Sequence, residues 1–549
     1  MKKIVIIVAL VCGAWQQADA QYVSKVWVSD QKDGTYINPI IHADYSDPDV
    51  CAVGDDFYMT ASSFGCAPGL PILHSKDLVN WRLANYALKE IEPTIFFNAP
   101  QHGKGVWAPS IRYHNGEFFI YWGDPDWGIF MVKTKDPLGE WEKPVLVKAG
   151  KGMIDPTPLW DEDGKVYLVH AWAGSRAAFN SVITVCEMNA EGTKVISEPV
   201  LVFDGNDGVN HTIEGPKFYK RNGYYYILAP AGGVVTGWQL ALRSRNVYGP
   251  YESKIVMVQG DTDINGPHQG GWVETCTGES WFINFQDKAM YGRVLHLNPV
   301  KWENDWPVIG EDKDGDGCGE PVKRYKKPDV GRIYPIETPI ESDEFNTRQL
   351  GLQWEWHANY QDTFGFTSDL GYIRIYGHIL SKDFVNFWEV PNLLLQKFPA
   401  EEFTATAKLK VSAKADGQQS GLIVMGWDYG YLGVVKEGDK FILNQVVCKD
   451  AEQRSPETVT HLAELPVSRR FGAGLYPNYE RDIYLQVKVT GGGICYFSYS
   501  LDGRKYTLAG VPFTARQGKW IGAKVGLFST APYGKERGWV DADWFRIDK

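Results

Sequence analysis

The chain has 549 residues and a formal net charge of −11, with 44% hydrophobic and 22% charged residues. This length exceeds what one hydrophobic core usually supports, so we expect a folded protein of two or more domains. The acidic balance argues against nucleic acid or an anionic membrane as partner and favours a neutral one. Aromatic residues reach 14%, which indicates either large β-sheet cores or sugar binding by stacking on flat rings.

The first twenty residues have the organisation of a secretory signal. Lys2 and Lys3 precede a short apolar segment from Ile4 to Ala14, and the small residues Ala18 and Ala20 form a cleavage site. No later apolar run is long enough to insert into a membrane as a helix. The sequence therefore predicts a signal peptide over residues 1–20 and a mature protein that is exported, either periplasmic or secreted.

A repeat marks the first half of the mature chain. Five times a tight turn with glycine is followed by an aromatic-rich strand, and the turn glycines are spaced 62, 48, 59 and 55 residues apart. These glycines are Gly54, Gly116, Gly164, Gly223 and Gly278. Several short strands in a loose period near fifty residues are typical of a β-propeller. We therefore predict an all-β protein with a five-bladed β-propeller over residues 21–327.

A second element of the repeat lies upstream of each turn, where a proline accompanies a polar or aromatic residue. In a blade built of hairpins, this element starts the innermost strand, so equivalent positions should converge at one mouth of the central channel. The converging residues are Asp47, Trp107 with Pro109, Asp155, Glu214 and His268. Asp-Pro and Glu-Gly-Pro also occur as plain turns. Three carboxylic acids in one register nevertheless favour a catalytic site.

The stretch HADYSDPDV contains three aspartates, and the register selects Asp47 among them. We expect Asp44 to hydrogen-bond its own loop. Asp49 should lie on the same side of the strand as Asp47 but deeper in the channel, because side chains two residues apart share a face. The sequence assigns Asp49 no further role.

Three carboxyl groups at one mouth suit the cleavage of a glycosidic bond. One carboxylic acid protonates the leaving oxygen, and a carboxylate opposite it activates water. A third carboxylate near the acid raises the pKa of that acid by like-charge repulsion.

These segments resemble glycoside hydrolase family 43, whose members are five-bladed propeller enzymes that cleave arabinose or xylose units with inversion. The matching series runs from residue 37 to about 310. It reads NPIIHADYSDPDV, PGLPILHSKDLVNW, GVWAPSIRY, GMIDPTPLWDEDGKVYL, TIEGPKFYKRNGYYYI, GPHQGGWVET and YGRVLHLNPVKW. The resemblance implies that Asp47 is the general base, that Glu214 is the general acid, and that Asp155 tunes the pKa of that acid and orients it.

Four further residues are candidates for substrate binding. Arg293 matches an arginine that reaches the terminal sugar, and His268 matches an axial histidine beside a bound metal ion or water. Trp107 is either a sugar platform or a blade-packing residue, and Phe64 either lines a subsite or packs in the core. The WMNDPNG segment of the retaining fructoside-cleaving relatives is absent, which favours inversion with base and acid roughly 6.5–9.5 Å apart.

The segment after the propeller changes in composition. Residues 312–317, DKDGDG, begin like an EF-hand loop, but Lys323 occupies the place of the bidentate glutamate, so a turn is favoured over calcium binding. Residues 328–342 are rich in proline and lack the repeat, which indicates a linker.

Residues 343–549 show alternating strands separated by glycine turns and predict a β-sandwich. SDEFN, SGLIVMGWDYGYLGVV and WVDADWFRID resemble the concanavalin-like, jelly-roll domain found at the C-terminus of family members of the β-xylosidase and arabinofuranosidase type. In such proteins this domain lends a loop to the rim of the active site. Asp543 with Asp343 or Glu344 either binds a structural Ca²⁺ or forms acidic strand ends in water.

We therefore expect an exported, exo-acting, inverting glycosidase that releases terminal α-L-arabinofuranosyl or β-D-xylosyl units from hemicellulose oligosaccharides. The DYSDPDV segment resembles the arabinofuranosidase branch of the family and slightly favours arabinofuranose as the released sugar. No cofactor is required; the structural Ca²⁺ at Asp343 and Asp543 is one of the two alternatives for those residues, and the partner is a neutral oligosaccharide. The alternatives are β-D-xylosidase as the main activity, an endo-arabinanase, or a non-catalytic carbohydrate-binding protein. The oligomeric state is not set by the sequence.

Overall fold

The computed structural model describes residues 21–471 and 477–549, so the predicted signal peptide over residues 1–20 lies outside the described residues. The described chain is almost entirely β-structure. Its helices are α1 (Thr94–Phe97), α2 (Gly174–Ala177) and the 3-10 turns Ala289–Tyr291, Phe387–Glu389 and Ala451–Gln453. None of the described helices has the length and apolarity needed to cross a membrane.

Strand β1 (Thr35–Ile37) precedes five four-stranded antiparallel sheets, each built from one continuous segment. Blade one comprises β2 (Asp49–Val53), β3 (Asp56–Thr60), β4 (Gly69–Ser75) and β5 (Trp81–Leu88). Blade two comprises β6 (Trp107–His114), β7 (Glu117–Asp124), β8 (Gly128–Thr134) and β9 (Val145–Ala149). Blade three comprises β10 (Met153–Trp160), β11 (Val166–Trp172), β12 (Val182–Met188) and β13 (Val200–Asp204). Blade four comprises β14 (Lys217–Arg221), β15 (Tyr224–Ala231), β16 (Trp238–Ser244) and β17 (Glu252–Met257). Blade five comprises β18 (His268–Glu274), β19 (Ser280–Asp287), β20 (Arg293–Glu303) and β21 (Trp306–Ile309).

The predicted five-bladed propeller is confirmed. The five turn glycines all lie between the first and second strands of their blades and have φ between 61° and 87°, a conformation that glycine adopts without strain. Neighbouring blades bury their apolar faces against each other, as Val169 of blade three and Ile227 of blade four do in one cluster. Strand β18 contacts β2, which closes the ring and surrounds the axis with the first strand of each blade.

The C-terminal half forms the predicted β-sandwich. After β22 (Arg324–Lys326), which pairs with β1, its strands are β23 (Glu355–Trp356), β24 (Gly365–Ser368), β25 (Tyr372–Tyr376), β26 (His378–Ile379), β27 (Leu394–Lys397), β28 (Phe403–Ala413), β29 (Gln419–Met425), β30 (Tyr429–Glu437), β31 (Lys440–Cys448), β32 (Thr458–Leu465), β33 (Ser468–Phe471), β34 (Pro477–Thr490), β35 (Ile494–Ser500), β36 (Thr507–Leu508), β37 (Phe513–Thr514), β38 (Lys524–Ala531) and β39 (Trp539–Asp548). One sheet runs β23-β27-β38-β29-β30-β31-β32 and the other runs β24-β25-β39-β28-β34-β35-β36. Leu422 and Val525 from the first sheet pack against Leu409 and Ile483 from the second.

A buried ion cluster joins the two domains. Glu355 on β23 accepts from the ammonium groups of Lys397 and Lys524, and the Nζ of Lys524 also lies 3.0 Å from the Sγ of Cys66 in the propeller. Burial acts to raise the pKa of Glu355, but the two ammonium groups outweigh it and lower this pKa to about 2. The cluster therefore holds an ionised carboxylate between two cations at the interface.

We predict that Glu355→Gln lowers the free energy of unfolding by about 3–5 kcal/mol, because it leaves two buried ammonium groups without their counter-charge. The exposed Glu90→Gln is the matched control and should unfold like the wild type. Urea unfolding measures both variants. Because the pKa of Glu355 is lower in the folded than in the unfolded protein, its contribution is complete above about pH 4.3 and is lost as the pH falls toward 2. Equal stabilities of Glu355→Gln and wild type at pH 7 would contradict this role.

Candidate active site

One residue with left-handed backbone lies within two residues of the start of the first strand of each blade. These residues are Asp47 (φ 55°), Ala108 (φ 30°), Asp155 (φ 58°), Gly215 (φ 60°) and Gln269 (φ 35°). In blades two, three and five the pairing with the second strand shifts at this point, which marks a β-bulge. A bulge re-aims side chains, and strained backbone of this kind is concentrated at functional sites.

The bulge changes the predicted register by one residue. Asp47 and Asp155 are themselves the left-handed residues, whereas Trp107, Glu214 and His268 each precede one. The five residues therefore occupy two adjacent positions of the repeat rather than one. The structure nevertheless brings the three carboxylates near enough that the charges of Glu214 and Asp47 both act to raise the pKa of Asp155.

Asp47 is 4% exposed and is surrounded by donors. Its Oδ2 accepts from the hydroxyls of Ser46 and Ser62, each at 2.6 Å, and the Nη1 of Arg293 lies 3.3 Å from its Oδ1. The same Nη1 donates to the Oγ of Ser46 at 2.6 Å. This set of donors matches an ionised carboxylate, which only accepts hydrogen bonds.

Asp155 lies beside Glu214. Asp155 is buried, and its Oδ2 accepts from the main-chain N–H of Gly215, the residue after Glu214, at 2.7 Å. Burial, and then the charge of Glu214, raise the pKa of Asp155 well above its usual value. The N–H contact also fixes the backbone from which Glu214 projects.

His268 lies beside the candidate acid. It is fully buried, and its Nε2 is 2.9 Å from the Oε1 of Glu214, whose side chain is 33% exposed. The Nδ1 of His268 has no hydrogen-bond partner within the described residues, which fits a water or an ion at the axis. In the described part of the chain His268 belongs to no group of three metal-ligating side chains, so the axial metal ion stays a prediction.

Aromatic rings and a cation form the wall of the site. The rings of Phe64 and Trp107 lie 6.3 Å apart between centroids, and the Cζ of Arg293 sits 4.8 Å from the ring of Phe285. Trp520 comes from the sandwich domain and completes this wall. Its ring lies 6.3 Å from that of Trp107 and 5.7 Å from the Cζ of Arg293. Phe64 is buried, whereas Trp107 and Trp520 are partly open to solvent.

The channel below the carboxylates is filled by charged side chains. Asp49 is completely buried, and its Oδ2 accepts from Nη1 of Arg112 at 2.5 Å and from the N–H of Ile111 at 2.9 Å. Lys217 is also completely buried and donates to the carbonyl of Pro109 at 2.9 Å. Asp49 therefore lies deeper than Asp47, as predicted, and holds two blades together through an ion pair.

The predicted calcium ligands of the sandwich have protein partners. Asp343 accepts from the N–H of Phe345 at 2.7 Å and from the indole of Trp354 at 2.9 Å, and Asp543 pairs with Lys408 at 2.5 Å. Glu344 pairs with Arg546. No cluster of three ligand atoms forms there among the described side chains, so a calcium ion at this place stays a prediction.

The DKDGDG loop does gather acidic groups. The carboxylates of Asp312, Asp314 and Asp316 lie within 4.8 Å of one another. Asp312 accepts from the N–H groups of Gly315 and Gly317 inside this loop, which is the hydrogen bonding of a turn.

Sequence reasoning missed the residues that complete the site. Ser46 and Ser62 hold the carboxylate of Asp47, and no pattern in the repeat marks them as functional. Trp520 lies far from the propeller in sequence, and only the family resemblance suggested that the second domain would reach the rim. Lys217, in the EGPKFYK segment, follows Glu214 closely enough that its burial at the axis could have been inferred from the repeat.

The comparisons with known proteins identify the family of the chain. The sequence profile of Glycosyl hydrolases family 43 matches residues 36–307, and that of the Beta xylosidase C-terminal Concanavalin A-like domain matches residues 342–548. The chain is 37% identical over 514 residues to a putative β-xylosidase of Xylanibacter ruminicola, covering 92% of this chain and 88% of that protein. It is 33% identical to a β-xylosidase of Formosa agariphila, covering 94% and 91% of the two chains.

Two further proteins extend the likeness. A non-reducing-end α-L-arabinofuranosidase of Bacteroides ovatus is 31% identical, with 76% of this chain and 79% of that protein covered. The crystal structure of the family 43 protein BlXynB from Bacillus licheniformis is 26% identical, with a TM-score of 0.78 over 94% of this chain and 99% of that one. The protein is therefore a glycoside hydrolase, and it belongs to glycosyl hydrolase family 43.

Proposed function

We propose that this protein is an exported, exo-acting glycosidase that removes terminal β-D-xylosyl or α-L-arabinofuranosyl units from hemicellulose oligosaccharides with inversion. The observation that carries the proposal is the unequal exposure of the two principal carboxylates. Asp47 is held at the closed end of the site by Ser46, Ser62 and Arg293, whereas a third of the Glu214 side chain faces solvent. The terminal sugar binds between them, and the rest of the oligosaccharide leaves on the Glu214 side.

In this arrangement Asp47 takes a proton from a water molecule, which attacks the anomeric carbon from the buried face. Glu214 gives its proton to the glycosidic oxygen as that bond breaks, so the two proton transfers balance. Gly215 is anchored by Asp155, which holds Glu214 toward the leaving group. Arg293 keeps the carboxylate of Asp47 in place and offers its remaining donors to the terminal sugar.

Exo action is supported by Trp520, because this ring from the second domain narrows the mouth beside Trp107 and Arg293. A long polymer that runs through the site on both sides would meet this ring. The relatives that are 37% and 33% identical are named as β-xylosidases. We therefore propose β-D-xylosides as the first substrates, ahead of the α-L-arabinofuranosides that the sequence slightly favours. The basic and apolar start of the chain, from Lys2 to Ala20, supports export.

Inversion predicts the first product directly. We expect the mature protein to hydrolyse an aryl β-D-xyloside and to release α-D-xylose first, because water attacks opposite the leaving group. Proton NMR during the first minutes, before mutarotation, distinguishes the anomers. An aryl α-L-arabinofuranoside is the second substrate. If β-D-xylose forms first, the inverting mechanism is wrong. If neither substrate is hydrolysed although sugars bind, the protein is a carbohydrate-binding protein.

The roles of acid and base are separated by the leaving group. Glu214→Ala should lose roughly 10²–10⁴-fold in kcat on a xylo-oligosaccharide but far less on a dinitrophenyl xyloside, whose leaving group needs no proton. Asp47→Ala should lose activity on both substrates, because water activation is needed for each. Glu274→Gln, an exposed carboxylate at the other end of blade five, is the control. Equal losses of Glu214→Ala on both substrates would exclude Glu214 as the acid.

Trp520→Ala should raise KM roughly tenfold on a xylo-oligosaccharide, because the sugar loses one aromatic wall of the pocket. Tyr533→Ala removes an exposed ring of the same domain and should leave KM unchanged. Steady-state kinetics with both variants makes the comparison. An unchanged KM in Trp520→Ala would mean that the sandwich domain takes no part in substrate binding.

A further inference from the structure

We propose that Asp44 is a positioning residue, which fixes the Trp520 loop of the sandwich domain to the strand that carries Arg293. The inference rests on the proposed function, because it assigns the residue that sets the shape of that same pocket. The Trp520 loop is defined as residues 518–522. Among the described residues, the carboxylate of Asp44 has no hydrogen bond to Asp47, Asp155 or Glu214. It therefore acts through the two segments that it joins.

Asp44 connects the domains through both oxygens of its carboxylate. Its Oδ1 accepts from the main-chain N–H of Arg293 at 2.8 Å, and its Oδ2 accepts from the main-chain N–H of Gly522 at 2.9 Å. The side chain is 5% exposed, so water does not replace these contacts. Tyr45, the next residue, donates its N–H to the carbonyl of Arg293 at 3.0 Å. The backbone of Arg293 is thus held on both sides by the HADYSDPDV stretch.

The Trp520 loop is a tight turn that needs this anchor. The N–H of Gly518 donates to the carbonyl of Ile521 at 2.9 Å, and Trp520 itself has φ 64°, which is unusual for a large side chain. The following N–H, that of Ala523, donates to the carbonyl of Met290 in the propeller at 2.8 Å. The last residue of the loop and the residue after it therefore meet the propeller through consecutive main-chain N–H groups, and Asp44 supplies one of the two acceptors.

The packing around Asp44 leaves little room for another arrangement. A Cβ on Gly292 would lie 2.5 Å from the Cβ of Asp44, and a Cβ on Gly522 would lie 2.7 Å from the main-chain nitrogen of Gly292. Both glycines are therefore needed for the approach of the two backbones. The short side chain of Asp44, with its two acceptor oxygens, spans the two N–H groups.

Loss of one contact should change the pocket rather than only the stability of the protein. The ring of Trp520 is two residues from the Gly522 N–H, and it lies 5.7 Å from the Cζ of Arg293. If the loop moves away, the wall that narrows the mouth is lost, while Asp47, Asp155 and Glu214 keep their positions on the propeller. Binding of the terminal sugar should therefore weaken more than the chemical step.

The test is a double-mutant cycle in the full-length mature protein with an aryl β-D-xyloside. Asp44→Asn keeps the shape but offers one acceptor, because its amide nitrogen faces an N–H. We expect KM to rise about tenfold with kcat within threefold of the wild type. In the Trp520→Ala background, Asp44→Asn should change kcat/KM less than threefold, because the ring that Asp44 positions is already absent. Equal effects of Asp44→Asn in both backgrounds would overturn the proposal.

Asp77→Asn is the matched control. Asp77 is a buried aspartate of blade one that accepts from the main-chain N–H groups of Val79 and Asn80. This variant should lower stability without changing KM. A tenfold rise of KM in Asp77→Asn as well would mean that the effect of Asp44→Asn reports general destabilisation, and the proposal would fail.

Hydrogen exchange of the wild-type protein tests the contact between Asp44 and Gly522 without any variant, so a variant that fails to fold does not affect the result. The amides of Arg293 and Gly522 should be protected, whereas the amide of the exposed Gly534 should exchange fast. Fast exchange at Gly522 would overturn the proposal. If the wild type hydrolyses no aryl glycoside, the proposed function fails, and hydrogen exchange still decides whether Asp44 holds the loop.

Discussion

The site depends on one backbone constraint, the left-handed conformation at the start of each innermost strand. In a regular strand, neighbouring side chains point to opposite faces, so only every second residue could face the axis. The left-handed backbone at Asp47, Ala108, Asp155, Gly215 and Gln269, with a bulge in blades two, three and five, relaxes this rule at one height of the propeller. Adjacent positions such as Glu214 and Gly215 can then contribute a side chain and a main-chain N–H to the same cluster. The strain is borne by a closed ring of blades, in which each strand is held by its neighbours.

The same ring gives the carboxylates unequal surroundings. Asp47 receives two hydroxyl donors and a guanidinium, whereas Asp155 is buried with one main-chain N–H and a neighbouring carboxylate. Glu214 lies at the open side against His268. These contacts suit the proposed roles of Asp47 as base and Glu214 as acid, and Asp155 between them has a raised pKa. The axial pair of Asp49 and Arg112 lies beneath and keeps the channel filled.

Much of this could be predicted from the sequence because the repeat is local. Each blade is one continuous hairpin unit, so the turn glycines and the strands around them can be recognised without long-range information, and the five blades follow. The same repeat brought Asp47, Asp155 and Glu214 to one mouth. The repeat predicted that all three occupy the same position, which was wrong by one residue for Glu214. A bulge shifts the pattern by one residue and leaves no distinct mark in the amino-acid composition, so the sequence did not reveal it. Trp520 and Asp44 could not be identified as partners, because 476 positions separate them and only the docking of the two domains joins them. The preference for xylose or arabinofuranose depends on contacts to a bound sugar, which neither the repeat nor the fold determines.

The central claim is that a terminal sugar lies between a buried base and an exposed acid. A crystal structure of the Glu214→Gln variant with an unhydrolysed xylo-oligosaccharide would test it most directly. The account predicts one sugar unit beside Arg293 and Trp520, with the glycosidic oxygen within hydrogen-bond distance of the side chain at position 214. It also predicts a water molecule between the anomeric carbon and Asp47. Direct contact between Asp47 and the anomeric carbon with no space for water, or a sugar chain that passes through the site on both sides, would contradict it.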